Sequence, residues 1–239
     1  MDSGGAPLPA SPETKTTSRN EHSRGGAEVV EFLRGVHTID SYATTTLYTE
    51  QRLILVDTSS EDTARTILGY LEKLRVKPSD LATIFITHTH PDHVGGLAAL
   101  KRAAPNAKVA AHRFEAEFIE RKKPYPGPPG VQRHPGTPVD VELEDSQLRD
   151  GLTVVFAPGH TPGNMSLLDD TRSLLIAGDS LRNEKGVAPM DDAYNIDPRQ
   201  HRASIKKIAA FEFENAVFGH GAPLKGGASR KVRELAAKL

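Results

Sequence analysis

Short apolar runs alternate with helical patterns from about residue 28 to the end of the chain. The segment from Val29 to Val56 consists of extended pieces and ends in the apolar run LILV, which a polar aspartate follows. β-branched and aromatic residues make Ala82 to Thr87 (ATIFIT) a candidate central strand. Further strands are predicted at Lys108 to Ala111, Val139 to Leu143, Leu152 to Ala157, Met165 to Leu168, Ser173 to Ala177 and Ala216 to Phe218.

Helices are predicted between these strands, where apolar residues recur every three or four positions. Asp62 to Arg75 carries Ile67, Leu68 and Leu71 at that spacing. The other predicted helices are Val94 to Ala104, Phe114 to Glu120, residues 198 to 210 and Ser229 to Leu239. This order of elements predicts an α/β protein in which helices cover the outer faces of a packed pair of sheets.

Two stretches lack such patterns. Residues 1–26 are rich in Gly, Ser, Thr and Pro, and they carry too few apolar side chains to offset the entropy of ordering. We therefore expect a disordered N-terminal tail over 1–26 and one folded domain over 27–239. Residues 121–138 hold six of the 17 prolines, which predicts an irregular loop and a candidate substrate lid.

Composition narrows the class of protein. The chain has 239 residues and no Cys, which excludes a disulfide scaffold. Lys plus Arg number 30 against 31 Asp plus Glu, so no strong field attracts nucleic acid or an anionic membrane. No apolar run approaches the roughly 18 residues of a membrane span, and no secretory signal is evident, so we expect a cytoplasmic protein. The absence of Cys beside many prolines also fits heat adaptation, although composition is weak evidence for it.

The motif HTHPDH carries the strongest chemical signal. It places His88, His90, Asp92 and His93 within six residues, directly after the ATIFIT strand and before a Gly-Gly pair. Imidazole nitrogens and carboxylate oxygens are the usual ligands of zinc and similar divalent ions. A lone His is more often a hydrogen-bonded or surface residue, but four such side chains at a strand end predict a metal site.

Three further residues are candidate metal ligands in the same kind of position. His160 in APGHTPG, Asp179 in LLIAGDS and His220 in FGHG each follow an apolar strand and lie beside glycine. Strand ends are where an α/β sheet assembles a site, and glycine allows close approach of the backbone. Seven ligands exceed what one tetrahedral ion uses, which predicts two metal ions that share a bridging group.

In these motifs the sequence resembles the metallo-β-lactamase-fold hydrolases, matching in order LVDT, HTHPDH, GHTPG, AGD and GHG from about Leu53 to His220. The resemblance implies a four-layer αββα sandwich with a catalytic site at one edge, between the sheets. It implies a first metal held by His88, His90 and His160. The second metal would be held by Asp92, His93 and His220, with Asp179 as the bridge.

The resemblance also implies the chemistry. Two divalent ions, zinc foremost with iron, manganese or cobalt as alternatives, would supply a bridging hydroxide that attacks a carbonyl group. Asp179 as the bridge and Asp92 as a proton shuttle are the expected catalytic carboxylates. Asp57 has two readings, a residue that braces the His loop or a residue that ends the strand in a turn.

The substrate is expected to be a small molecule with a lactone, ester or β-lactam carbonyl. The alternatives are a mononuclear iron oxidoreductase that resembles persulfide dioxygenases and a thioesterase that resembles glyoxalase II. Lactonases resemble this chain in length, but many carry Tyr three residues after the bridging Asp, where this chain has Arg182. A non-enzymatic metal-stabilised module is a third reading. The oligomeric state is left open, with a homodimer as one option.

A few further residues are singled out. Tyr194 is a candidate hydrogen-bond donor in the pocket, although a plain loop or core residue is the simpler reading. His134 lies in the proline-rich loop, where it could touch substrate. The remaining histidines are expected at the surface: His22, His37, His112 and His201.

Overall fold

The computed structural model describes residues 28–127 and 134–239. The predicted tail over 1–26 lies outside the described residues, so it stays a prediction, as does the domain boundary drawn at residue 27. Twelve strands are described: β1 (Glu28–Leu33), β2 (Val36–Asp40), β3 (Thr44–Tyr48), β4 (Leu53–Val56), β5 (Leu81–Ile86), β6 (Lys108–His112), β7 (Val141–Leu143), β8 (Leu148–Arg149), β9 (Leu152–Phe156), β10 (Met165–Asp169), β11 (Leu174–Ile176) and β12 (Asn215–Val217).

Six α-helices are described in the same residues: α1 (Arg65–Lys73), α2 (Pro91–Val94), α3 (Leu97–Ala103), α4 (Arg113–Ile119), α5 (Pro198–Ile208) and α6 (Ala228–Ala236). Three single 3-10 turns accompany them, at Pro78–Asp80, Gly178–Ser180 and Asp192–Tyr194. Most predicted strands and helices are confirmed to within a few residues, and the two-residue strand β8 was not predicted.

The strands form two sheets. The first has the order β1-β2-β3-β4-β5-β6-β7, antiparallel from β1 to β4 and parallel from β4 to β7. The second has the order β12-β11-β10-β9-β8, antiparallel except for the parallel pair β11 and β12.

Alternating side chains divide the interior into three apolar layers. Ile84 and Ile86 of β5 pack outward against α1 and α3, whereas Phe85 between them points inward to the second sheet. On β10, Leu167 joins the layer between the sheets and Leu168 packs outward with α5 and α6. Successive side chains of a strand point to opposite faces, so strands with apolar residues on both faces must be covered on both. The four-layer αββα sandwich is confirmed.

One predicted helix is divided. The stretch Val94 to Ala104 was expected to be one helix, but α2 ends at Val94 and α3 begins at Leu97. A Cβ atom on Gly95 would lie 2.7 Å from the carbonyl oxygen of Ser59, so only glycine lets the chain pass this close to the neighbouring loop. Thr58, in the segment after β4, donates its backbone amide and its hydroxyl to the carbonyl oxygen of His93, over 2.8 and 2.9 Å. These bonds tie α2, which carries part of the HTHPDH motif, to that segment.

Candidate metal centre

The HTHPDH motif lies where β5 ends at the edge between the two sheets. The strand is buried along most of its length, and His88 follows it within two residues. Pro91 begins α2, and its fixed backbone torsion suits a first helical position. The backbone amide of Met165 donates to the carbonyl oxygen of Thr87 over 3.1 Å, which ties this end of β5 to β10 of the second sheet.

The second sheet supplies the other three predicted residues. His160 follows β9, Asp179 lies in the 3-10 turn after β11, and His220 follows β12. Gly219, between β12 and His220, lies so close to Asp179 that a Cβ atom there would collide with its Oδ1. The structure thus brings all seven predicted residues together, although they are spread over more than half the chain.

The seven side chains form two adjoining groups of potential metal ligands. In the first group, His88, His90, His160 and Asp179 place one ligand atom each within 4.8 Å of the others. The Nε2 atom of His160 lies 3.3 Å from Oδ2 of Asp179, and the Nε2 atom of His88 lies 3.9 Å from it. All four residues are buried.

The second group contains Asp92, His93 and His220. The Nε2 atom of His220 lies 3.3 Å from Oδ2 of Asp92, and the Nε2 atom of His93 lies 3.9 Å from the same oxygen. Asp179 reaches this group as well, because its Oδ1 lies 3.2 Å from Nε2 of His93 and its Oδ2 lies 3.4 Å from Nε2 of His220. Asp179 therefore lies between the two groups.

Unpaired buried atoms test whether the site suits a metal. Among the described residues, the Nε2 atoms of His88, His90, His93 and His160 are buried without a hydrogen-bond partner, and so is Oδ1 of Asp179. Buried polar atoms without partners are costly, and five of them facing one another are rare in a folded protein. Imidazole nitrogens with carboxylate oxygens suit zinc and related divalent ions, so the residues present fit a metal centre.

The two groups contain histidines whose pKa values are shifted in opposite directions. Burial lowers the pKa of His90 to about 3 and, together with the neighbouring imidazoles, lowers that of His88 well below its ordinary value. Burial also opposes charge on His220, but its contacts with Asp179 and Asp92 outweigh it and raise the pKa of His220 to about 10. His88 and His90 thus present neutral imidazoles, the form that ligates a metal, whereas the carboxylates attract positive charge to His220.

Asp57 follows β4 and braces the motif. Its Oδ1 accepts from the backbone amide of Thr87 over 2.8 Å, and its Oδ2 accepts from the Thr87 hydroxyl over 2.7 Å. The same Oδ2 lies 2.8 Å from Nδ1 of His93. Asp57 also has a positive φ of 61°, so it serves the turn as well. An oxygen on Nδ1 leaves Nε2 of His93 free to face the site.

Two residues that the sequence did not single out support the other ligand loops. Oδ1 of Asn195 lies 2.9 Å from Nδ1 of His160, and the Asn195 amide donates to the carbonyl oxygen of Met190. Glu115 on α4 is buried and hydrogen-bonds to Thr89 and Thr161, which are neighbours of the predicted ligands. Neither residue belongs to a motif, so only the fold reveals them.

A cavity of about 660 Å³ opens to the surface beside the site, and five of the seven residues line it: His90, Asp92, His160, Asp179 and His220. Three tyrosines line it, and Tyr42 and Tyr194 are more than half exposed. Tyr125, from the proline-rich loop, is the third, and burial raises its pKa to about 12, so it stays a hydrogen-bond donor. Tyr194 therefore lies at the cavity, and its exposure excludes the reading of it as a core residue.

Arg182 also lines this cavity, but other residues already occupy its guanidinium. It donates to the carbonyl oxygen of Pro189 over 3.0 Å and to the carboxylates of Glu184 and Asp191 over 3.1 and 2.6 Å. Its backbone pairs with that of Ala188. Arg182 thus holds the 182–191 loop in place as one wall of the cavity.

The expectation that the remaining histidines lie at the surface was wrong for three of them. The rings of His37, His112 and His201 are buried. The ring of His112 stacks on Phe156 with centroids 4.0 Å apart, and Tyr70 Oη lies 2.9 Å from Nδ1 of His37. His22 lies outside the described residues. These rings bury apolar area while keeping at most a few polar contacts, which sequence alone does not reveal.

His134 is also buried rather than open to the cavity. Its Nε2 atom lies 3.3 Å from the Thr89 hydroxyl, and it does not line the cavity among the described residues. The described parts of the proline-rich stretch, 121–127 and 134–138, contain no helix or strand, as predicted.

Comparison with known proteins agrees with this geometry. The family model of the metallo-beta-lactamase superfamily matches residues 39–220, which include all seven clustered residues. The chain belongs to the metallo-beta-lactamase superfamily. Within the described residues, no helix is both long and apolar enough to cross a membrane.

Relatives of this metallo-beta-lactamase superfamily member differ in sequence identity and in the fraction of each chain that aligns. YobT of Bacillus subtilis, an uncharacterized protein, is 32% identical over 58% of this chain and 61% of its own length. A protein named probable metallo-hydrolase YflN, also from Bacillus subtilis, is 26% identical over 78% of this chain and 82% of its own. A hydroxyacylglutathione hydrolase of Photobacterium profundum is 30% identical, over 62% of this chain and half of its own length.

Solved structures share the fold. A HARLDQ-motif mutant of a metallo-beta-lactamase from Cronobacter sakazakii superposes with a TM-score of 0.71 and 25% sequence identity. The superposition covers 88% of this chain and 94% of that one. The family and the clustered His and Asp side chains together support a metal-dependent hydrolase in general.

Proposed function

We propose that this protein is a dinuclear metal-dependent hydrolase that attacks the carbonyl carbon of a lactone or ester and cleaves its acyl C–O bond. The observation that carries the proposal is the set of buried, unpaired Nε2 atoms facing Asp179. A structural or binding module would need a closed site, whereas His90, His160 and Asp179 line a cavity of about 660 Å³. A small-molecule substrate fits that volume.

The ligands follow from the two groups. His88, His90 and His160 would hold one ion, and Asp179 would be shared with a second. The second ion would be held by Asp92, His93 and His220. Divalent ions bound here, with zinc as the first candidate, would make water more acidic near neutral pH and polarise the carbonyl group under attack.

Asp92 is the residue that we assign to proton transfer. Its side chain is partly exposed at the cavity, unlike that of Asp179. Burial raises its pKa, but His93 and His220 outweigh that effect, so its pKa lies below the ordinary value and it begins as a carboxylate that can accept a proton. It could then pass that proton to the departing oxygen.

The cavity wall favours an uncharged substrate. Tyr42, Tyr125 and Tyr194 supply aromatic surface and hydroxyl donors. Arg182 is the only Lys or Arg among the described lining residues, and its charge already faces Glu184 and Asp191. An anionic substrate would meet these two carboxylates, and no unpaired Lys or Arg side chain among the described lining residues would offset them.

A substrate panel on metal-quantified protein tests the proposal. We expect hydrolysis of neutral lactones or aryl esters, with β-lactams as weaker substrates, and loss of activity when a chelator removes the metal. His88→Ala, His160→Ala and Asp179→Ala should each abolish turnover and reduce the bound metal. An active Asp179→Ala variant, or one iron per chain with oxygen uptake, would contradict the dinuclear hydrolase.

A second candidate is a thioesterase for glutathione conjugates, which the hydroxyacylglutathione hydrolase relatives favour. Such conjugates carry several charges. They are disfavoured because Arg182, the one Lys or Arg among the described lining residues, is already paired with Glu184 and Asp191. The same panel should therefore include a lactoyl-glutathione thioester beside a neutral thioester. A preference for the glutathione conjugate would favour this second function.

A further inference from the structure

Glu115 is a buried carboxylate that the proposed chemistry does not use. It lies in the first turn of α4 and is fully buried. In the part of the chain that the structure describes, no Lys or Arg forms an ion pair with it. Burying a carboxylate without a cation is costly, so its three hydrogen bonds must offset much of that cost.

The two oxygens of Glu115 reach two different loops. Oε1 accepts from the backbone amide of Thr89 over 2.8 Å. Oε2 accepts from the Thr161 hydroxyl over 3.0 Å and from the backbone amide of Gly163 over 2.7 Å. One carboxylate therefore joins the loop after β5 of the first sheet to the loop after β9 of the second.

These loops carry the three histidines that we assign to the first metal. Thr89 lies between His88 and His90, and Thr161 follows His160 directly. The rings of His90 and His160 lie 4.5 Å apart between their centroids, so they meet across the junction that Glu115 spans.

The sequence around Gly163 makes room for this contact. A Cβ atom on Gly163 would collide with the backbone nitrogen of Glu115 and lie 2.7 Å from its Oε2. The glycine lets its amide approach the carboxylate directly. Burial raises the pKa of Glu115 to about 7, but all three partners donate, and donors of this kind favour the ionised carboxylate.

We propose that Glu115 is a positioning residue that sets the distance between the His88–His90 loop and the His160 loop, and thereby the affinity of the first metal site. This inference rests on the proposed assignment of those three histidines to one ion. It assigns Glu115 no contact with substrate or metal. Side chains that hold metal ligands in place typically change affinity or activity by about 10- to 100-fold when they are replaced.

The test is Glu115→Gln in the full chain, stripped of metal and titrated with cobalt(II). Glutamine has one acceptor oxygen and one NH₂ group, so the amide of one loop would face another donor. We expect one of the two cobalt equivalents to bind about 10- to 100-fold more weakly, with altered visible absorption, while the other equivalent keeps its affinity. The matched control is Glu117→Gln, on an exposed position of the same helix.

A second pair of variants keeps the carboxylate in place. Thr161→Val removes one donor to Oε2 and should weaken the same cobalt equivalent by a smaller factor. Thr161→Ser keeps the hydroxyl and should restore wild-type binding. This pair decides the question if Glu115→Gln does not fold.

The outcomes separate the two proposals. Wild-type cobalt affinities and spectra in both Glu115→Gln and Thr161→Val would overturn the positioning role and leave the metal centre standing. Equal weakening of both cobalt equivalents would also overturn it. A wild-type protein that binds two cobalt ions but hydrolyses no carbonyl substrate would refute the proposed function alone. A wild-type protein that binds no cobalt would overturn both.

Discussion

Asp57 contacts both the end of β5 and a predicted metal ligand. One carboxylate accepts both hydrogen bonds from Thr87, at the end of β5, and also orients His93. Backbone position and ligand orientation are therefore set by the same side chain. The two readings that the sequence left open, a brace and a turn, both describe it.

Replacing Asp57 with Asn should lower metal affinity or activity by about 10- to 100-fold. The Asn amide nitrogen cannot accept a hydrogen bond, so it would leave a Thr87 donor or Nδ1 of His93 without its partner. Metal content after dialysis and kcat/KM on the best substrate of the panel are the measurements. Asp62→Asn, at an exposed position, is the control for the lost charge. Equal metal content in both variants would contradict the bracing role.

We expect His112, at the start of α4, to make a pH-dependent contribution to stability. Its Nδ1 accepts from the backbone amide of Phe114, which requires an unprotonated nitrogen. Burial lowers its pKa from 6.5 to about 4, with Arg113 adding to the effect. Between those values the unfolded chain binds more protons than the folded one, so stability is lost as the pH falls through this window.

His112→Asn removes this titration but keeps an acceptor suited to a helix start. We expect the wild-type urea midpoint to fall more between pH 7 and pH 4.5 than that of the variant. Carboxylates that titrate in both proteins cancel in the comparison. Parallel curves for the two proteins would show that His112 does not contribute.

At the scale of elements, α5 connects the second sheet to the metal centre. Its start is tied to the loop of His160, because the amide of Asp197 donates to the carbonyl oxygen of Gly159 over 2.9 Å. Its apolar face, with Ile205 and Ile208, packs on the outside of the second sheet. The helix thus fixes the segment that presents Asn195 to His160.

Asp197→Ala should lower the free energy of unfolding by about 1 kcal/mol. The Asp197 side chain accepts from the backbone amide of Gln200 over 2.9 Å, and alanine would leave that amide at the helix start without this acceptor. Equilibrium urea denaturation measures the difference. Glu72→Ala, an exposed position on α1, should change stability little, and a loss as large as that of Asp197→Ala would contradict a capping effect.

The helix boundaries show how far the spacing of apolar residues predicts where an element begins and ends. Apolar spacing predicted a helix through Val94 to Ala104, because Val94, Leu97 and Leu100 share one face. At this break the carbonyl oxygen of His93 accepts from Thr58, 35 positions earlier, and a local pattern carries no information about such a contact. β8 was missed because a two-residue strand is too short to show alternation.

At the scale of the whole molecule, the residues of the candidate site all come well after the first residues of the sequence. The described residues that line the cavity run from Tyr42 to His220, and the family match begins at residue 39. Deleting residues 1–24 should therefore leave kcat/KM and metal content within about twofold of wild type, because this segment lies outside the family match and outside the described residues that line the cavity. Steady-state kinetics on both proteins measures this, and a loss of more than tenfold would assign residues 1–24 a role in activity.

The sequence by itself determined the class of fold and the seven candidate ligands. Apolar residues that recur with a period of two or 3.6 indicate which faces of strands and helices are buried. HTHPDH, His160, Asp179 and His220 indicate a metal site because they are ligand-type residues that follow predicted strands. The tertiary structure alone decided that Arg182 is already paired, that Tyr194 lies at the cavity, and that Asn195 and Glu115 hold the ligand loops. Glu115 and Asn195 contact partners 26 to 48 positions away in the chain, which become neighbours only when the chain folds. The partners of Arg182 lie within nine positions, but apolar periodicity carries no information about the path of the loop that brings them together.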